Sequence, residues 1–148
     1  MQVFEQKKYS TYCCTFQTWS DVLKTLSADD KVSVLDIRTL NELGKDELSD
    51  TPSGWTYRRY PITGSTVSEQ DVDVFRREQR RFGKLVVVSS NETRASLLVL
   101  TDLARINRTL LPEAEVTKLE DLKQEQAMHD WLNQYLERHQ TTDVVGEY

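Results

Sequence analysis

The stretch Leu85–Ser96 reads LVVVSSNETRAS, and its reading decides the fold. Leu85–Val88 is a continuous, mostly β-branched run, the pattern of a strand buried on both faces of a sheet. The run stops at Ser89 and Ser90, and Asn91, Glu92, Thr93, Arg94 and Ala95 follow. From Thr93 to Ile106 apolar residues crowd every face of a predicted helix, so that helix belongs at the centre of the molecule. Strand, short polar loop, arginine and buried helix place the loop beyond the carboxyl end of a strand, where open α/β sheets bind ligands. Amides of the turn and the positive end of the helix would converge there on one anion. The planar fork of Arg94 suits two oxygens of a phosphate or sulfate. The plain alternative is that Ser90 or Asn91 simply caps a core helix.

The flanking sequence alternates strands with helices. Val32–Ile37, VSVLDI, is a second buried strand, preceded by a helix carrying Trp19, Val22, Leu23 and Leu26 at helical spacing. The polar stretch after it holds Gly44, Pro52 and Gly54, a loop with room for one helical turn. Thr56–Ile62 reads as a third strand, and Ser68 with Asp71 opens a helix in capping-box fashion. Gly83 stops that helix, and Pro112 opens another bearing Val116, Leu119 and Leu122. In the last helix Met128, Trp131, Leu132, Tyr135 and Leu136 form a stripe, read as core, with the seam of a homodimer as the alternative. The expectation is one α/β domain over residues 1–140, with a central, mostly parallel sheet of four to five strands flanked by helices. Residues 141–148, TTDVVGEY, are expected to be a flexible tail.

Composition limits the function. A formal net charge of −5 argues against nucleic acid as a partner. No apolar run is long enough to span a membrane, and nothing resembles a signal peptide. Cys13 and Cys14 are adjacent and are the only cysteines, so a disulfide framework is not expected and a reducing cytoplasm is. With His129 and His139 the only histidines, no metal site and no cofactor are expected. Arg76, Arg77, Arg80 and Arg81 read as a solvated helix face, or else as a docking patch for an acidic or phosphorylated partner.

Three segments in order, VSVLDIRTLNEL, YRRYPITGSTVSEQDVDVFRRE and KLVVVSSNETRASLLVL, resemble the bacterial protein-tyrosine-phosphatase-like proteins, a branch of the dual-specificity phosphatase superfamily. The match spans about residues 30–106. It implies a phosphatase-like architecture in which Ser89, Ser90, Asn91, Glu92, Thr93, Arg94 and Ala95 form the phosphate loop. Asp36 and Arg38 would brace that loop as an ion pair, one of Arg58 and Arg59 would line the pocket or pair with Asp36, and Cys13 and Cys14 would lie near its mouth. In the family a cysteine attacks phosphorus, its thiolate stabilised by the loop amides and the helix end. This chain has Ser89 there, and a serine hydroxyl is barely ionised in such a loop. Val88 stands where a histidine often precedes the nucleophile, and Thr63 where relatives often have an acid. Asp71 is the remaining, weak candidate for a general acid. Glu92 puts a carboxylate at the rim, able to fold onto Arg94. A longer motif spacing would move the nucleophile to Val88, a buried strand residue.

The resemblance with these departures implies binding of phosphate, sulfate or a phosphorylated ligand, with hydrolysis absent or weak. One alternative is an active cysteine phosphatase in which position 89 has been changed from cysteine to serine. Another is a rhodanese-like regulatory domain, which a central sheet of five parallel strands in the rhodanese order would favour.

Overall fold

The computed structural model describes residues 1–140, so the segment 141–148 expected to be a tail lies outside the described residues. The centre is β5 (Lys84–Val88), paired in parallel with β2 (Ser10–Cys14) on one side and β3 (Ser33–Asp36) on the other. β4 (Thr56–Arg59) extends the sheet in parallel beyond β3, and β1 (Gln2–Glu5) closes the other edge antiparallel to β2. The order is β1-β2-β5-β3-β4. The expected α/β class and mostly parallel sheet are thus present, with five strands. β1 is antiparallel, so the five parallel strands that would favour the rhodanese alternative are not seen among the described residues.

The apolar run of β5 is explained by helices on both sides of the sheet. Leu85 and Val87, with Cys13 and Leu35, face a layer containing α3 (Glu69–Arg81), α4 (Glu92–Asn107) and α6 (Gln126–Gln140). Val86 and Val88, with Tyr12, Cys14 and Val34, face α1 (Trp19–Thr25) and Trp55. Trp19 meets Trp55 edge to face with ring centroids 6.1 Å apart. Burying each such Val or Leu contributes about 1.5–3 kcal/mol over leaving it exposed. α4 packs against α6, and Met128, Leu132, Tyr135 and Leu136 of the α6 stripe are buried in that layer, with Trp131 half-buried against it.

Several boundaries differ from the sequence reading. The third expected strand ends at Arg59, because Pro61 cannot donate to a ladder. The helix after Pro112 is only α5, Glu113–Val116, followed by turns that carry Leu119 and Leu122. β1 has no counterpart in the sequence reading, since QVFE is short and its residues are mostly exposed. The one helical turn allowed in the polar loop is α2 (Leu40–Leu43).

The register aligns the strand ends. Cys14, Val88 and Asp36 are side-by-side partners, and Arg59 pairs with Asp36. The ladder runs one residue further: Ser89 donates its amide to the Cys14 carbonyl at 3.0 Å, and Ile37 to the Val88 carbonyl at 2.9 Å. Every loop leaving this edge therefore starts from the same row.

Candidate anion-binding site

The loop after β5 is built as a helix start. Asn91 is the N-cap of α4, and its Oδ1 accepts the Arg94 amide at 2.9 Å. The cap fixes the direction in which α4 presents its free first-turn amides. Thr93, buried, accepts the Asp121 amide through Oγ1 at 3.1 Å, and Ala95 is fully buried. Ser90 is exposed at the loop crest. Ser89 is fully buried, and its Oγ has no hydrogen-bond partner among the described residues.

Arg94 is the hub. It is 8% exposed, yet every nitrogen of its guanidinium is engaged. Nη1 and Nη2 each donate to one carboxylate oxygen of Glu42, both at 2.9 Å. Nε donates to Glu125 Oε1 at 2.8 Å, and Nη1 also reaches the Ile62 carbonyl at 3.2 Å. Burial alone would disfavour the charge on Arg94, but the two carboxylates raise its affinity for the proton further. Burial likewise opposes ionisation of Glu42, yet bonds from Arg94, the Thr39 amide and the Ser90 side chain outweigh it and bring its carboxyl down to about 2.

The position of Glu42 has a local cause. Thr39 and Glu42 form a capping box around α2: Glu42 donates its amide to Thr39 Oγ1, and Thr39 donates its amide to Glu42 Oε1 at 2.9 Å. The same Oε1 serves cap and Arg94 together. Glu125, 3% exposed, sits just before α6 and also accepts from Asn91 Nδ2 at 3.4 Å. Gly64 lets it approach: a Cβ there would lie 2.8 Å from Glu125 Oε2.

The sequence-predicted residues divide into three groups. Ser90, Asn91 and Arg94 converge with Glu42 and Glu125. Glu92 does not fold onto Arg94; it pairs with the Met1 ammonium group, and the carboxylates on the guanidinium are Glu42 and Glu125 instead. Asp36 and Arg38 form a buried bidentate pair at 2.9 and 2.8 Å, with Arg38 Nη1 tied to the Asp46 carbonyl at 2.8 Å. Tyr57, not Arg58 or Arg59, adds the further bond to Asp36: Arg58 faces Glu78, and Arg59 donates to the Arg38 carbonyl. Burial raises the Asp36 carboxyl, but Arg38 and Tyr57 hold it below its ordinary range. Thr63 bonds Ser65 and Thr66 in an exposed turn directly after Ile62. Asp71 is occupied as the cap partner of Ser68 and as acceptor for the Tyr60 hydroxyl at 2.9 Å.

Cys13 and Cys14 are fully buried; burial pushes both thiols up, Cys14 to about 12, so neither offers a thiolate near neutral pH. His129 and His139 sit on α6, engaged with Gln126 and Asn133, and with Glu69. Among the described residues no group of three or more His, Cys, Asp or Glu is placed to hold a metal. A cleft of about 510 Å³ beside the loop is bordered by Thr15, Ser90, Asn91, Glu92, Lys118 and Asp121.

A structure from Shewanella putrefaciens CN-32 described as "Putative phosphatase (DUF442)" is similar to this chain at 14% identity and a TM-score of 0.47. The similarity covers 95% of this chain and 87% of that one. No protein-family model matches the chain, and no curated protein matches it. Among the described residues no helix is long and apolar enough to cross a membrane.

Proposed function

We propose that this chain is a phosphatase-like protein that binds phosphate or a phosphorylated ligand at the Ser89–Arg94 loop without hydrolysing it. One observation carries the reading: a carboxylate, Glu42, is held bidentate by Arg94, which lies in the first turn of α4. An anion of the chain itself already occupies the guanidinium that would hold a phosphate. In the unliganded chain that anion is internal, so an incoming phosphate competes with Glu42. Hydrolysis lacks its nucleophile. The Ser89 hydroxyl is buried with no base against it, and both thiols are held protonated by burial.

Two assays on the purified chain test this. Release of nitrophenol from p-nitrophenyl phosphate is expected to stay at the uncatalysed rate, and enzyme-like turnover would overturn the reading. Calorimetric titration with inorganic phosphate is expected to give weak binding to the wild type and tighter binding to Glu42→Gln. Failure of both proteins to bind phosphate would remove the anion-site assignment. Ser89→Cys addresses the alternative of an altered active phosphatase, because activity gained by that one change would restore it.

A further inference from the structure

At the opposite end of the sheet from Arg94, a groove of about 860 Å³ lies between the β1–β2 turn and the ends of α3 and α4. Its floor is Tyr9, Leu103 and Ile106, and Phe82, 37% exposed, forms one wall. Lys7 and Lys8 form the other, both exposed, and among the described residues neither meets a carboxylate. Arg80 lies across the Tyr9 ring at 5.2 Å and adds positive potential, partly offset by its bond to Asp102 at 3.0 Å. Glu5 is the one acid lining the groove. This is a cationic, apolar-floored cleft on a chain whose formal net charge is −5.

A second observation sits in the same place. Gln6 Nε2, a donor lining the groove, is buried and has no acceptor among the described residues. A buried donor left unpaired is unfavourable, and a turn of the half-buried Gln6 side chain toward the groove would let it meet an arriving carbonyl. The turn itself is held firmly, by Gln6 donating its amide to the Tyr9 carbonyl and Ser10 to the Gly83 carbonyl, both at 2.9 Å. Gly83 is at φ +81, and a Cβ there would come within 3.2 Å of the Lys8 carbonyl. The lysines are thus presented on a fixed turn.

We infer that this groove docks a short acidic peptide segment of a protein partner, with one large apolar side chain as its anchor. The anchor would lie on Leu103 and Ile106 beside Phe82, acids on the peptide would meet Lys7 and Lys8, and a peptide carbonyl would take the Gln6 amide. Charge complementarity favours an acidic segment, and the aliphatic floor favours a side chain over a stacked base. The half-buried ring of Tyr9 carries Arg80 over one face, which removes one platform a nucleotide would use.

The test uses the full chain and a fluorescein-labelled peptide, Glu-Asp-Glu-Phe-Asp-Leu-Glu-Glu, read by anisotropy. Saturable binding is expected with Kd on the order of 10–100 µM, weakened about 10-fold or more by K7E/K8E and by raising salt. Replacing Phe82 by Ser, or Phe and Leu of the peptide by Ser, is expected to cost about 5-fold or more. Backbone amide shifts confirm folding of each variant and are expected to move at Gln6–Tyr9 and Phe82 when peptide is added. No saturable binding, or unchanged affinity in K7E/K8E, would overturn the inference. So would a single-stranded oligothymidylate that binds more tightly than the peptide. If D143N/E147Q in the full chain binds the peptide about 10-fold tighter than wild type, the occupant is the chain's own C-terminal segment and the partner assignment falls.

Discussion

Glu42 and Arg94, separated by 52 positions, meet through two parallel hydrogen bonds of 2.9 Å each. The pair joins α2, on the loop after β3, to the first turn of α4, after β5. Because β3 and β5 are neighbours in register, the loops leaving them are side by side, and the pair closes the gap between them. Glu125 adds a second carboxylate on the Nε side, so the cluster holds one more negative charge than positive. The arginine that a phosphate would need is therefore fully coordinated within the chain.

Removing the Glu42 charge is expected to loosen this closure without unfolding the protein. In Glu42→Gln the guanidinium keeps Glu125, so the loss is about 1–2 kcal/mol, or about 3–6 °C in Tm for a domain of this size. Arg94→Ala is expected to cost more, about 3–5 kcal/mol, since it leaves Glu125 buried at 3% exposure with its charge uncompensated. Thermal denaturation of the two variants checks the ranking. Equal losses would mean that Glu125 does not depend on Arg94.

Acid should act through the same group. The Glu42 carboxyl ordinarily titrates at 4.5 and here at about 2. The folded value is the lower one, so its contribution is present above the unfolded value and is lost as pH falls from about 4.5 toward about 2. Asp36 is shifted in the same direction by Arg38 and Tyr57, against its burial, and adds to the loss in that acid range. Urea midpoints of wild type and Glu42→Gln, taken at about pH 6 and about pH 2.5, are expected to differ at the first and converge at the second. A constant difference would sink the linkage to Glu42.

The central strand, the helix that follows it and the two-faced sheet were legible because β5 and α4 are locally consistent: an unbroken apolar strand, then a capped apolar helix. β1 was not legible, since four mostly exposed residues carry no periodic signal and gain their place only by pairing with β2. In the site, Asn91 as cap was readable from the chain, whereas the Asp36–Arg38 pair was expected only from the resemblance. Glu42 left a partial trace: Thr39 with Glu three residues on is a capping box, and that places a carboxylate at the mouth. Its grip on Arg94 needed the alignment of β3 with β5. Glu125 left none, because a glutamate in a polar turn is indistinguishable in sequence from a solvated one. Glu92, able by its position to fold onto Arg94, takes the Met1 ammonium instead.

The paired cysteines are expected to be silent. Cys13 and Cys14 are fully buried on opposite faces of β2, in the two different core layers, and burial raises the Cys14 thiol to about 12. At about pH 8 the thiolate fraction of Cys14 is then roughly 1 in 10,000. Incubation of the native chain with Ellman's reagent should release almost no thionitrobenzoate, while unfolding in guanidinium should expose both thiols at once. Rapid labelling of the native chain would mean that β2 opens locally or that one thiol faces the cleft.

Gly64 offers the sharpest test of how tightly the Arg94 site is packed. A Cβ at this position would stand 2.8 Å from Glu125 Oε2 and 3.3 Å from Met128 Cβ. The carboxylate cannot retreat freely, because its other oxygen accepts from Arg94 Nε at 2.8 Å. Gly64→Ala is therefore expected to cost about 1–3 kcal/mol as an overpacking change. In the Glu125→Ala background the nearer obstacle is gone, and only the Met128 contact remains to be relieved. The same substitution should then cost less, with a coupling energy of about 1–2 kcal/mol between the two positions. Urea unfolding of the four proteins in the cycle measures it. Additive losses would show that Glu125 has room to move aside, and that Arg94 is held by Glu42 without a fixed second carboxylate behind it.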